Sequence, residues 1–580
     1  MRIAPGDIVT ATTRQPDLLQ RNAHHLLALI GFTLLTVLYT WPLVTQFTTH
    51  VSGVERTDNY HVLWLMRYVP DALARGDNPW FAPTINVPYG FPVALGETTP
   101  LHTVLLAPIV LVFGEIATYN VVTLASTVLT GWGLFALAYR WLGALSGSSD
   151  QWLRFLAAFF AGAIFAFGTY RIMKLQGQLN IANTQFLVMG LYFWDRWLVA
   201  ARKRDAVLTG IAIGLAALST WYLGLMLGIS LGVYTLAFSG VVHRLRTRTG
   251  LVGLGLALLI AGAITAPFLL PYRELPSLPS LPLDKVTLWS ASPTDYLIPN
   301  PLHPVWGGLV KPIVWPASGR LPSEFAVATG FIVLFLAFIG ARRTRGPNWR
   351  GLKWIVLISL ILSLGPILQL SRLNTGIPLP SLLLRELPVF DGLRTWIRFA
   401  LMVHLGLAVL SGAGMYIILC PVQRRALRRT AATALIGIAL FEAWPGPVGT
   451  IAVEPRPVDT WLAAQTDNSP IMEYPLSVAI SGPSLYQTLY HGKPITYGYG
   501  TYFETLYLQR NPELSEFPAD DALDTLETWG VRYVLVTTSA VDEFTSFSMD
   551  DVREQPRLRY VTSRGDVDVF ELIPEANNAN

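Results

Sequence analysis

The chain carries one cysteine, Cys420, which excludes an intrachain disulfide and a thiolate cluster. Charge is also scarce: Asp, Glu, Lys and Arg make up 14% of the residues against 52% apolar, and the formal net charge is only +4. The basic residues fall in short clusters between apolar runs, not in a patch with interleaved aromatics, so nucleic acid is not an expected partner. No G-x-x-x-x-G-K-[ST] sequence occurs, which removes the usual sign of ATP-driven transport. His61 and His102 lack an H-x-x-x-H spacing and a matching third ligand, so no metal site is expected around them. No internal repeat is visible of the kind that builds a secondary transporter from related halves.

What the chain has in quantity is long apolar runs. A segment of about 20 such residues crosses roughly 30 Å of hydrocarbon, and most of residues 25–448 is organised that way. The fold class expected is therefore an all-α polytopic membrane domain, followed at 449–580 by a small soluble α/β domain. The first run, "HLLALIGFTLLTVLYTWPLV" (25–44), follows a basic segment, 1–24, holding Arg2, Arg14 and Arg21. It is too long for a signal-peptide core and no A-x-A-like site follows, so it reads as a retained span with its N-terminal side in the cytoplasm.

Basic clusters at "ARKRD" (201–205), "HRLRTRTG" (243–250), "ARRTRGPNWRGLK" (341–353) and "QRRALRRT" (423–430) mark short cytoplasmic loops. The runs between them pair up as spans: 152–170 with 180–199, 206–220 with 222–242, 251–270 with 323–340, 352–370 with 396–419, and a last one near 430–448. "LHTVLLAPIVLVFG" (101–114) is short and holds Pro108, so it is expected to lie in the outer leaflet. With 25–44 and the run 118–139, which travels inward to Arg140, that gives about eleven spans, N-terminus inside and C-terminal domain outside. If 101–114 crossed as well, there would be about twelve and the domain would be cytoplasmic. The outer segments are then the first loop (47–117), the large loop (about 271–322) and the stretch 371–395.

Three stretches, "RTDNYHVLWLMRYVPDALARGDNPWFAPTINVPYGFPV" (56–93), "TPLHTVLLAPIVLVFGEIATYNVVTLASTVLTGWGLFALAYRWLG" (99–143) and "VFDGLRTWIRFALMV" (389–403), resemble the GT-C glycosyltransferase superfamily. The likeness is to bacterial relatives of the protein mannosyltransferase and aminoarabinose transferase type and extends over about residues 25–450. It implies a sugar donor on a polyprenyl phosphate, a site facing away from the cytoplasm in the cell envelope, inversion at the anomeric carbon, and a glycan, lipid or protein acceptor.

Asp58 is the leading catalytic candidate. An inverting transfer needs a carboxylate to deprotonate or orient the acceptor hydroxyl, and a loop position beside a span puts one at head-group depth. It also suits the N-cap of a helix beginning at Asn59, so both roles stand open. Families of this type often carry a second acid in the next outer loop, but "FGTYRIMKLQGQLNIAN" (167–183) has none, which leaves Glu97 and Asp77 as second-acid candidates and gives a divalent metal no support. A leaving phosphate calls for cations. Arg394 and Arg398, four apart on one helical face, are the first choice, with Arg273, Arg171 and Lys174 behind them. Anchoring at the interface beside Trp396 would use the arginines equally well. His404, inside a span, is a functional candidate or a neutral helix-to-helix bond.

In the C-terminal part, "SPIMEYPLS" and "VRYVLVTTSA" read as buried strands, "TWLAAQT" and "DALDTLETWG" as helices, and "RYVTSRGDVDVFELI" as a hairpin turning at Arg564-Gly565. "YHGKPITYGYGTYFETLY" (490–507) is either a packed loop or an aromatic surface for sugar. Two classes of function compete: a membrane glycosyltransferase using a lipid-linked donor, and an inactive relative or polytopic transporter or scaffold for envelope lipids. The absence of a repeat and the outward placement of the charges favour the enzyme.

Overall fold

The computed structural model describes residues 18–53, 58–145, 150–238, 247–275, 281–314, 322–371, 373–387, 390, 392–500, 503–545 and 547–575. Arg2, Arg14, residues 243–246 of the basic loop 243–250 and the terminal "NNAN" lie outside them.

Each run expected to span contains a helix: Leu18–Tyr39, Glu115–Leu145, Gln151–Phe167, Gln185–Ala200, Lys203–Ser219, Trp221–Ala237, Arg248–Thr265, Phe331–Arg343, Pro347–Ser363, Ala400–Leu419 and Arg425–Ala443. Among the described residues three stretches are long and apolar enough to cross a membrane, Glu115–Leu145, Arg248–Arg273 and Trp396–Leu419, and a fourth is if the bent pair Gln151–Phe167 and Thr169–Leu175 counts as one span. The chain is thus an integral membrane protein, but helix length does not carry the count of eleven: Phe331–Arg343, for example, has 13 residues, about 20 Å of rise. The segment 101–114 forms a π-turn, Leu101–Leu105, and the 7-residue helix Ala107–Phe113, too short to cross.

Several expected spans stop early, for local reasons. The run 352–370 leaves the helix at Ser363 because Gly365 takes φ +70° ahead of Pro366, and Ile367–Leu370 then pairs with Leu373–Pro378. The run 323–340 starts its helix only at Phe331, after Gly330 at φ +90°, and the Glu442 carboxylate accepts from the Phe331 and Ile332 N–H groups at 2.6 and 3.1 Å. Glycines bring the helices together. A Cβ on Gly414 would strike the Leu336 carbonyl, one on Gly340 the Leu410 carbonyl, and one on Gly412 would come 2.6 Å from the Ala157 carbonyl. Leu251, Leu258 and Leu259 on the outermost of these helices face outward, as side chains against lipid do.

The first loop and the C-terminal part fold together. His50–Ser52 pairs antiparallel with Thr450–Ala452, and Ile85 bridges to Ile495. The helix Asp58–Arg75 is amphipathic, and its apolar face with Ala82, Ile85 and Phe91 shares one core with Met472, Tyr497, Phe503, Val534 and Val569. The C-terminal sheet has four strands: Ile471–Tyr474 parallel to Tyr533–Thr537, then Val567–Leu572 and, at the edge, Leu558–Arg564. Pro457–Ala463 and Asp520–Thr528 are the expected helices, and Gly565 turns the terminal hairpin at φ +67°. Of the described aromatics in 490–507, Tyr497, Tyr499, Phe503 and Tyr507 are buried and Tyr490 alone is exposed, so this stretch is mainly a packed loop.

Candidate functional site

The shared core seats the start of the Asp58–Arg75 helix against the membrane domain, and there a cavity of about 220 Å³ opens. Its lining includes Asp58, His61, Glu97, Gln178, Trp221, Tyr222, Tyr272, Arg394, Arg398 and Tyr499. These come from seven separate stretches of chain, so tertiary folding alone makes the site.

Asp58 is half-buried. Its Oδ1 accepts the Tyr499 hydroxyl and its Oδ2 a longer bond, 3.4 Å, from Gln178 Nε2. Neither is a helix cap, and both draw the carboxylate toward side chains distant in sequence. The Tyr499 ring also lies 4.9 Å from that of His61, whose pKa burial lowers to about 4 despite the opposing field of Asp58, so His61 is neutral at neutral pH. Glu97 is half-buried with its carboxylate turned from solvent; its Oε1 accepts from Thr220 Oγ1 at 3.3 Å, and its Oε2 has no partner among the described residues. Burial pushes its pKa up; Arg398 pulls against that, Asp58 adds to it, and the Thr220 bond and Arg394 oppose it.

The cations are held from below. Arg398 lies over the Tyr222 ring at 4.6 Å and Arg394 over Trp289 at 5.4 Å. The Tyr222 hydroxyl accepts from the backbone N–H groups of Arg394 and Thr395, both at 3.2 Å, which fixes the turn that presents the two arginines. Arg398 also donates to Glu324 Oε1 through Nη2 at 2.8 Å and Nε at 3.3 Å.

No protein-family model and no curated protein sequence matches this chain. Solved structures match it in fold. The mycobacterial arabinofuranosyltransferase AftD aligns over 96% of this chain with a TM-score of 0.61 and 15% identity, and this chain spans only 40% of its length. The Archaeoglobus fulgidus oligosaccharyltransferase, in a complex with Zn and sulfate, aligns over 94% of this chain and 74% of its own at TM-score 0.54 and 14% identity. ArnT from Cupriavidus metallidurans aligns over 97% of this chain and 99% of its own, with TM-score 0.49 and 15% identity. The fold is that shared by AftD and the Archaeoglobus fulgidus oligosaccharyltransferase.

Within this fold the residues singled out from sequence divide into two groups. Asp58, Glu97, Arg394 and Arg398 share the cavity. Asp77 does not reach it: it is exposed and paired with Arg75 at 2.8 Å. Arg273 is exposed and outside the lining, although its neighbour Tyr272 is part of it. Arg171 is buried away from the cavity, bonded to Thr184 Oγ1 at 2.8 Å, Thr127 Oγ1, Ser126 Oγ and the carbonyls of Ala166 and Ala182, an arrangement that ties helices together. Lys174 is fully buried behind the cavity, donating to Glu324 Oε2 at 2.5 Å and Gln178 Oε1 at 2.8 Å. His404 stacks between Tyr170 and Tyr296, centroids 6.0 and 6.1 Å away. Among the described residues no three of His, Cys, Asp and Glu form a group able to hold a metal.

The cavity also involves residues that sequence reasoning missed. Tyr499 lies in a stretch read either as a packed loop or as a surface for sugar, not as a partner of Asp58. Glu324 sits where the large outer loop meets an apolar run, "PSEFAVATGFIV", and an acid at such an edge is the one signal that singles it out. Gln178 lies in 167–183, a stretch read only for its cations and its lack of an acid.

Proposed function

We propose that this chain is a membrane glycosyltransferase that moves a sugar from a polyprenyl-phosphate donor to an acceptor outside the cytoplasm, with inversion and with Asp58 as general base. The reading is supported above all by one observation: two acids and two arginines from separate stretches meet in a single cavity. In it, the donor phosphate lies against Arg394 and Arg398, whose charge stabilises the negative charge that grows on the leaving oxygen. Asp58 takes the proton of the acceptor hydroxyl. The acceptor oxygen bonds to the anomeric carbon on the face opposite the phosphate, and the bond from that carbon to the phosphate oxygen breaks, its electron pair leaving with polyprenyl phosphate. Glu97, whose carboxyl burial shifts toward the protonated form, lies where it can hydrogen-bond a sugar hydroxyl. Tyr499 and Gln178 occupy only part of the carboxylate's acceptor capacity, so Asp58 keeps lone pairs for the incoming proton. The chain crosses the membrane about eleven times, leaving the cavity and the C-terminal part on the outer side.

The test is turnover of synthetic polyprenyl-phospho-sugars by the purified protein with a membrane extract as acceptor source, read as release of free polyprenyl phosphate. Asp58→Asn should lower the rate by roughly 10²- to 10⁴-fold, the usual cost of losing a general base, with expression unchanged. A variant that works at the parent rate would remove Asp58 from the chemistry. Turnover of nucleotide sugars alone would overturn the donor class.

A further inference from the structure

Glu324 does not line the cavity, yet it touches the groups that do. It lies in the short helix Pro322–Phe325 and is 2% exposed. Oε1 accepts from Arg398 Nη2 and from Gln178 Nε2 at 2.8 and 2.9 Å, and Oε2 accepts from Lys174 Nζ at 2.5 Å. The same Gln178 amide nitrogen reaches Asp58 Oδ2 at 3.4 Å. A single buried carboxylate thus meets both the cation proposed for the leaving phosphate and the amide that contacts the proposed base.

A buried acid could serve only to neutralise buried cations. Two features go beyond that. Lys174 and Arg398 are two positive charges on one negative, so Glu324 leaves one uncompensated, and Arg398 is the one that lines the cavity. Glu324 also takes the Nε and Nη2 edge of that guanidinium while Tyr222 covers its face, so edge and plane are both set, and Nη1 has no protein hydrogen bond among the described residues. Lys174, meanwhile, is held back from the cavity.

We infer that Glu324 is a positioning residue: it orients Arg398 toward the donor phosphate, keeps Lys174 away from it, and through Gln178 sets the distance between that phosphate and Asp58. The inference rests on the glycosyltransferase reading above. Displacements of about 1 Å from the reacting geometry can cost some 10²-fold in rate, so the role is visible in kcat. Binding of an anion responds differently, because removing the negative charge of Glu324 leaves more positive charge near the cavity.

The experiment compares the parent, Glu324→Gln and the double variant Lys174→Met/Glu324→Gln in nanodiscs. The readouts are kcat and KM for a polyprenyl-phospho-sugar and the retention of radiolabelled polyprenyl phosphate. Glu324→Gln should lose about tenfold or more in kcat, with no rise in donor KM and with polyprenyl phosphate held at least as tightly. The double variant removes the unpaired lysine and should fold even where the single variant does not, while kcat stays low because Arg398 remains unheld. Parent-like kcat in either variant, or a rise in KM with kcat unchanged, overturns the positioning role. If the parent itself turns over no lipid-linked sugar, the glycosyltransferase reading fails and takes this inference with it, whereas an active parent with an indifferent Glu324 sinks the inference alone.

Discussion

Glu97 is the cavity residue whose protonation has a direct consequence for stability. Its carboxyl is raised chiefly by burial, and the folded protein therefore holds that proton more tightly than the unfolded chain does. The corresponding stability is fully present below the ordinary carboxylate range and is lost as pH rises through the raised value. The thermal midpoint of the detergent-solubilised parent should accordingly fall across that window, and Glu97→Gln, neutral at every pH, should lack this part of the fall. Melting curves of parent and variant that shift in parallel with pH would assign the titration to another group. At this scale Asp58, Arg394 and Arg398 were legible because charge outside the cytoplasmic loops of an apolar chain stands out. Glu324 carries as much of the site's charge, but its partners Lys174 and Arg398 are 150 and 74 residues away, and no local pattern pairs them.

Among the elements, the seam between Phe331–Arg343 and Ala400–Leu419 is the tightest test of how the bundle is built. In "LSGAG" (410–414), Gly412 and Gly414 each face a neighbouring helix backbone so closely that a methyl group has no room. Gly414→Ala should cost about 1–3 kcal/mol, the usual range for overpacking, and should reduce the monodisperse fraction on size exclusion. Gly255→Ala, on the exposed face of Arg248–Thr265 with nothing within 4 Å, is the control and should be neutral or stabilising by up to about 1 kcal/mol through helix propensity. Equal behaviour of the two would mean that the seam tolerates separation. Helix existence and the glycine contacts could both be anticipated from the sequence. Where helices stop could not: the break after Ser363 depends on a positive φ at Gly365, and the start at Phe331 on a carboxylate 111 residues away.

For the whole molecule, the decisive feature is that the first loop and the C-terminal part share a core, with Trp64 and Phe91 packed among the same residues as Val534 and Phe570. The C-terminal part is therefore on the same side of the membrane as the first loop, and Tyr499 completes the cavity from it. A reporter fused after Glu575, beyond the terminal hairpin, should be active only outside the cytoplasm if the basic loops are retained inside. Cytoplasmic activity there would place the first loop, the cavity and the C-terminal part inside together and would end the eleven-span arrangement.

Properties that depend on neighbours along the chain were settled by the sequence itself: membrane residence, from runs of apolar residues; the strands and helices of the α/β part, from periods of two and 3.6; and the turn at Arg564-Gly565. Properties that depend on which distant groups meet were decided by the tertiary structure. Arg171, equal in type to Arg398, is spent on hydroxyls and carbonyls inside the bundle, and Lys174 is turned from the cavity by Glu324. The physical reason is that a buried charge goes where its countercharge or its acceptors are, and in this chain those lie on other helices.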